Sequence, residues 1–323
     1  MLTREKMEQQ QIGIYIVVLI AAIGLGLLFP QGMSVLDNPV LLSGVIAVLM
    51  YGMFTQIPFG LMQESLQDRR FVVAILLANY IAVPIVVWCL SWLLPQHPPI
   101  LLGVYLVLLT PCVDYVIVFT HLGRGNEKLM LLATPILFIT QMILLPVYLW
   151  LFMGQDAADI VNPKPFIEAF LIIIVIPLVI AVIVQLMSRK HRYGQLILDG
   201  SAWVPVPFMA LTLFVVIASQ MGKLATYWYV LIQVIPVYVL FMLIMPWISK
   251  GIVTLLRLEP ASGRAVIFSS GTRNSLVVLP LALALPDDWN TLVAAIIVTQ
   301  TVVELMGELV YIRVIPGWLL RDC

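Results

Sequence analysis

The sequence predicts an all-α polytopic membrane protein: ten transmembrane helices in two inverted five-helix repeats, with helices four and nine broken and crossing. Three observations predict it. Of 323 residues, 62% are hydrophobic and 11% are charged, with a mean hydropathy of +1.07, whereas soluble domains carry roughly 25% charged residues. The apolar residues fall into ten long runs. The joints between those runs alternate between rich and poor in Lys and Arg.

A soluble fold of this length cannot hide so much apolar surface, so the surplus faces lipid. Crossing about 30 Å of hydrocarbon takes about 20 residues of helix, and backbone groups in lipid must pair within their own segment, which makes each run helical. The runs lie near 12–29, 39–58, 71–94, 100–121, 128–153, 165–187, 201–221, 226–249, 264–285 and 290–316. The first follows Arg4 and Lys6, and no small-residue cleavage site closes it. It reads as a retained span, not a removed signal peptide. Later joints carry turn and charge signals, such as Gln67-Asp68-Arg69-Arg70, Gly123-Arg124-Gly125-Asn126, Ser188-Arg189-Lys190-His191-Arg192 and Pro286-Asp287-Asp288.

Lys and Arg in loops set orientation. With a cytoplasmic N-terminus, the inner segments hold Arg4, Lys6, Arg69, Arg70, Arg124, Lys128, Arg189, Lys190, Arg192, Lys250, Arg257, Arg264, Arg313 and Arg321. The outer loops hold only Lys164 and Lys223, and Arg273 lies inside a span. Both termini are therefore expected in the cytoplasm, with the chain in the cytoplasmic membrane. Ten spans divide into five (about 12–153) and five (about 165–316), joined by an outer loop around 154–164. An odd number per half inverts the second half, a common plan of secondary transporters. The whole chain reads as one transporter domain.

The fourth and ninth spans are interrupted at corresponding places. The fourth reads Leu109-Thr110-Pro111-Cys112-Val113-Asp114-Tyr115 and the ninth Ser269-Ser270-Gly271-Thr272-Arg273-Asn274-Ser275. Pro111 cannot donate to a helix ladder. Gly271 among Ser, Thr and Asn supplies flexibility and competing side-chain hydrogen bonds. Matched interruptions are the best sequence pointer to a transporter site, and half-helix ends attract negative charge or polar oxygen. Asp114 and Arg273 are costly inside a bilayer, about 2.5–3.5 kcal/mol each on insertion scales, so they are expected to approach each other where the broken helices cross. Asp114 would then carry a proton beside a fixed cation.

Glu304 and Glu308 lie one turn apart on one face of the tenth span. Glu304 sits deep and suits proton coupling; the alternative is that both carboxylates, Glu308 above all, face a polar groove or an interfacial water layer. Cys112 beside Pro111 is either an inert small side chain or a soft contact for a thiophilic substrate. The three cysteines, Cys89, Cys112 and Cys323, are too few and scattered for a disulfide framework or metal cluster. No hydrolase, zinc-protease or phosphate-loop motif occurs, so no enzyme, cofactor or ATP-driven pump is expected. Zero net charge gives no pull toward nucleic acid.

The sequence resembles the bile acid:sodium symporter superfamily and, within it, the arsenite permease branch, over essentially the whole chain. Thr110-Pro111-Cys112 resembles the Pro-Cys motif of the fourth span in arsenite permeases. Leu122-Gly123-Arg124-Gly125-Asn126 resembles the Leu-Ala-Arg-Gly-Asn ending of that span in the bile acid branch. Gly271-Thr272-Arg273-Asn274-Ser275 resembles the Gly-x-Gln-Asn-Ser crossover of the ninth. The resemblance implies interleaved panel and core subdomains, with substrate beside the crossing. It also implies departures. The Ser-Asn pair of the sodium-coupled branch falls on Val116 and Ile117, its glutamate on Ser269 and its crossover glutamine on Arg273. Hard cations need oxygen ligands, so both sodium sites look dismantled. The tenth-span acid of the arsenite branch matches Glu304.

The expected function is arsenite export by alternating access, driven by proton entry. Thr110, Cys112, Asp114, Thr272, Arg273, Asn274 and Ser275 would line the substrate site, and Asp114 and Glu304 would couple protons. A small organic anion, with Arg273 as its partner, is the alternative cargo, and a non-transporting sensor or scaffold the alternative class.

Overall fold

The computed structural model describes residues 4–36, 38–57, 68–113, 115–154, 171–189, 191–224, 227–283 and 285–321. Asp114, Lys190, Cys323, the expected outer loop at 155–164 with Lys164, and the start of the 165–187 run lie outside them. Among the described residues the secondary structure is helical, with one isolated antiparallel bridge between Pro111 and Arg273. Five helices there are long and apolar enough to cross a membrane: Arg69–Ser91, Glu127–Met153, Arg192–Ser219, Trp228–Leu255 and Trp289–Leu319. Shorter apolar helices include Gly44–Gln56, Pro98–Leu108 and Ile176–Ser188. This is a multi-pass membrane protein.

The chain divides into two compact units. The first comprises Met1–Ile57, Asn162–Trp228 and Pro280–Thr291. In it, helix Pro39–Gln56 ends where Gln185 donates its side-chain amide to the carbonyls of Phe54, Thr55 and Ile57, at 3.1, 3.1 and 2.8 Å. Those are the carbonyls a helix C-terminus leaves without partners. Gly52 meets Val204 so closely that a Cβ would lie 2.7 Å from its Cγ1.

The second unit comprises Pro58–Val161, Tyr229–Leu279 and Leu292–Cys323. Prolines shape its long helices. Each removes the donor for the carbonyl four residues earlier, and at three of them a side chain takes that carbonyl. Pro84 frees Tyr80 O, which Tyr148 Oη takes at 2.6 Å. Pro246 frees Met242 O, which receives Tyr311 Oη. Pro135 frees Leu131 O for Thr134 Oγ1 at 2.7 Å. Just before Pro84 the Arg69–Ser91 helix widens into a π-turn at Ala78–Ala82, a device that re-aims side chains and is common at functional sites. It turns Asn79, fully buried, toward the middle of the unit.

Helices Pro98–Leu108 and Val116–Leu122 are the two halves of one interrupted run, and Pro260–Gly271 and Ser275–Leu283 those of another. The segment after Val116–Leu122 explains its two glycines. A Cβ on Gly123 would lie 2.2 Å from Phe268 Cε2, and one on Gly125 would lie 3.3 Å from Ala265 N. The loop therefore lies flush on helix Pro260–Gly271, with Asn126 N–H donating to Ala261 O at 2.9 Å. Asn126 then caps the next helix through Leu129 N–H at 3.0 Å.

Candidate functional site

Breaking two helices leaves backbone N–H and C=O groups that need partners. Here the two gaps satisfy each other. Thr110–Cys112 and Thr272–Asn274 run antiparallel, with Cys112 N–H donating to Thr272 O (3.2 Å) and Asn274 N–H to Thr110 O (2.8 Å). Pro111 and Arg273 stand opposite each other between those bonds. In an antiparallel pair that position requires no hydrogen bond between the two residues, so the proline's missing donor costs nothing there.

The same geometry turns the backbone of Arg273 outward. Its N–H donates to Glu304 Oε2 at 2.7 Å, and its carbonyl accepts from Tyr115 Oη at 3.0 Å. Tyr115 Oη is also 2.6 Å from Glu304 Oε1. A closed ring results: Arg273 N–H, the Glu304 carboxyl, the Tyr115 hydroxyl, Arg273 C=O. Gln300 adds a donor to Glu304 Oε2 at 2.5 Å, and Glu304 is fully buried. The tyrosine has one hydrogen. With Glu304 ionised, that hydrogen goes to Oε1. With Oε1 protonated, the acid donates to Tyr115, which turns its hydrogen to Arg273 O. Only the protonated state fills every link; the ionised state keeps the donors from Arg273 N–H, Gln300 and Tyr115 and leaves Arg273 O without the tyrosine hydrogen.

The Arg273 side chain runs elsewhere. Nη2 donates to Asn79 Oδ1 at 2.7 Å and to Ser269 O at 2.6 Å, and Nη1 lies 3.4 Å from Leu108 O. Its Cζ sits 5.6 Å from the Phe241 ring centroid. Asn79 Nδ2 donates to Ser269 Oγ (2.9 Å) and Ile75 O (3.0 Å), which fixes its oxygen toward the arginine. The guanidinium thus fills a place lined by three oxygens.

The expected site residues divide as follows. Thr110 Oγ1 is spent on its own helix, at Leu106 O (2.9 Å) and Val107 O (3.1 Å). Cys112 is buried in the gap. Asp114, the expected partner of Arg273, lies outside the described residues. Thr272 Oγ1 contacts Glu308 Oε1 at 2.9 Å and Phe268 O at 2.7 Å. Asn274 Oδ1 accepts from Val277 N–H at 3.2 Å, while its Nδ2 and Ser275 Oγ are buried without a partner among the described residues. Glu308 differs from its sequence reading: it is fully buried at the crossing, not at an interface.

Sequence reasoning missed Asn79 as a site residue and passed over Tyr115. Asn79 carried a signal, an amide inside the run Leu76-Leu77-Ala78-Asn79-Tyr80-Ile81 five residues before Pro84. The model of the Sodium Bile acid symporter family matches residues 44–227, more than half of the chain. No curated protein matches it.

Proposed function

The chain belongs to the Sodium Bile acid symporter family, and on that premise we propose that this membrane transporter is sodium-independent and proton-coupled, of the arsenite permease kind. It would cross the cytoplasmic membrane ten times as two inverted five-helix halves, with both termini inside, and export arsenite by alternating access. One observation carries the reading: the buried Glu304 carboxyl has donors around it when ionised (Arg273 N–H, Gln300, Tyr115) and the Tyr115 oxygen as an acceptor when protonated. A buried carboxyl with partners in both states can take up and release a proton. The guanidinium among Asn79 Oδ1, Ser269 O and Leu108 O supports sodium independence, because a fixed cation fills an oxygen-lined place. Cys112, buried between the broken helices, would offer its sulfur to arsenite.

A second cargo, a small organic anion, is favoured by the buried donors Asn274 Nδ2 and Ser275 Oγ, which lack partners among the described residues at the N-terminus of helix Ser275–Leu283. An acceptor oxygen of substrate would complete them. The two cargoes separate in proteoliposomes carrying the full chain. Arsenite and small carboxylates are offered with and without a pH gradient, and with choline replacing sodium. We expect gradient-driven arsenite flux, indifferent to sodium and lost in Cys112→Ser. Carboxylate flux that survives Cys112→Ser favours the second cargo, and sodium-driven flux overturns sodium independence.

A further inference from the structure

Two exposed tryptophan pairs meet edge to face in the second unit, and they differ in what stands beside them. Trp88 and Trp92 are four residues apart at the end of one helix, with ring centroids 5.8 Å apart. Among the described residues no cation stacks on either ring. That is the aromatic anchor any span end can carry.

Trp247 and Trp318 come from different helices. Trp247 lies on Trp228–Leu255, and Trp318 on the π-turn Ile315–Leu319 that follows Asp287–Val314. Their centroids are 5.3 Å apart, and the rings are 52% and 61% exposed. Lys250 Nζ sits over the Trp247 ring, 5.6 Å from its centroid. Arg321 Nε donates at 2.6 Å to the carbonyl of Gly317, the neighbour of Trp318. Two cations thus flank one pair of rings that bridges two helices.

Both cations have donors to spare. Contact with a ring draws on the charge of Lys250 and not on a directed N–H. Arg321 has five N–H groups and spends one on Gly317 O, which leaves the outer fork that suits bidentate phosphate. Among the described residues no carboxylate lies at ion-pair distance from either; Asp322 lies outside them.

The surface leading to the rings is apolar. Leu243 is exposed one turn before Trp247, and Val310 and Val314 one and two turns before Trp318. Spacings of four put each set on one helix face, and exposed apolar stripes on spans face acyl chains. Apolar stripe, aromatic edge and cation follow each other in the order of acyl chain, glycerol region and charged headgroup. The place is also preformed. Leu320 N–H closes the π-turn on Ile315 O at 2.8 Å, Arg264 Nε holds Leu320 O at 2.9 Å, and a Cβ on Gly263 would lie 2.8 Å from Leu320 Cδ2. A notch held this firmly needs no ordering before it binds.

We propose that the Trp247–Trp318 notch binds one anionic phospholipid. Lys250 and Arg321 hold its phosphate, and its acyl chains lie along the two stripes. The site stands apart from the crossing, and the inference does not rest on the cargo or the coupling proposed above.

The test counts bound lipid. The delipidated full chain in detergent is titrated with phosphatidylglycerol, phosphatidylcholine or glycerol phosphate and read by native mass spectrometry. Two cations at about fivefold each predict one phosphatidylglycerol held about thirtyfold more tightly than phosphatidylcholine. Glycerol phosphate, which has the charge without the chains, should not displace it. Lys250→Gln and Arg321→Gln should each lower the preference by about fivefold, and the double variant should abolish it. The single variants decide the matter even if the double variant does not fold. Trp88→Leu should leave it unchanged. Equal binding of the two phospholipids, or a preference that survives both single variants, overturns the proposal. So does displacement by glycerol phosphate, which would make this a soluble-anion site. A dimer that lipid does not dissociate, lost in Trp318→Ala, would give the notch to a second copy of the chain and overturn it as well.

Discussion

Two arginines are buried in the second unit, Arg264 at 1% exposure and Arg273 at 0%, and they are held for different purposes. Arg264 sits in the first turns of helix Pro260–Gly271. Its Nη1 donates to Arg124 O at 2.9 Å and its Nε to Leu320 O at 2.9 Å, tying a loop and the chain's last described turn to one helix. Arg273 sits in a gap where no helix runs. Its side chain binds oxygens from three segments, while its backbone completes a ring with a carboxyl and a tyrosine. The difference teaches where to seek chemistry in an apolar protein. A buried cation spent on carbonyls at a helix end is a strap. One in a helix break, with a carboxyl on its own amide, joins the fold to a group that can gain or lose a proton.

Arg273→Gln breaks that distinction most severely. It leaves Asn79 Oδ1 and Ser269 O without their donor and Glu304 without its cation. Removing one member of a buried charged set costs about 3–5 kcal/mol, so flux per folded molecule should fall by roughly a hundredfold or more. Counterflow in proteoliposomes, normalised to monodisperse protein, measures it. Flux above a tenth of normal would make Arg273 a strap like Arg264.

Tyr115→Phe comes next. Glu304 and Arg273 O lose the hydroxyl that serves both protonation states, at a cost of about 1.5–3 kcal/mol for a bond to a charged group. Flux should drop by about tenfold or more at fixed pH, and its response to a pH gradient should flatten. A steep response in the variant would place coupling outside the ring.

Arg264→Gln tests the other arm. Two carbonyls lose a buried donor, about 1–3 kcal/mol each, so the melting temperature should fall clearly. Flux per folded molecule should stay near normal, since the carbonyls Arg264 holds, Arg124 O and Leu320 O, lie outside the ring around Glu304.

How far the sequence foretold this follows from which signals are local. Pro111 and the run from Gly271 to Ser275 announce the two breaks, because a missing donor and a flexible polar run act within one turn. Glu304 is legible for the same reason, as a carboxyl far inside an apolar run. The partner of Arg273 is not. Asn79 is 194 residues away, and only the π-turn and the packing of unit two aim it. The burial of Glu308 is not legible either, because Thr272, which meets it at the crossing, is 36 residues away in the chain. Family membership rests on residues 44–227, while the identity of the cargo rests on a few side chains in the gap.

The gentlest probe is Gly271→Ala. A Cβ there would lie 2.6 Å from Tyr311 Cε2 and 3.3 Å from its hydroxyl, so the ring must move. That ring holds Met242 O, the carbonyl Pro246 leaves open, and it lies one turn beyond Glu308 on the same helix. Overpacking of this size costs about 1–3 kcal/mol. If the cost comes from pushing the hydroxyl off Met242 O, it should shrink in a Tyr311→Phe background, where there is no such bond to lose. Thermal melts of the two single variants and the double variant close the cycle. Strict additivity would mean that the clash acts on the backbone of the broken helix itself. Gly271 would then belong with Pro111, as a residue that shapes the gap rather than one that makes room for its neighbour.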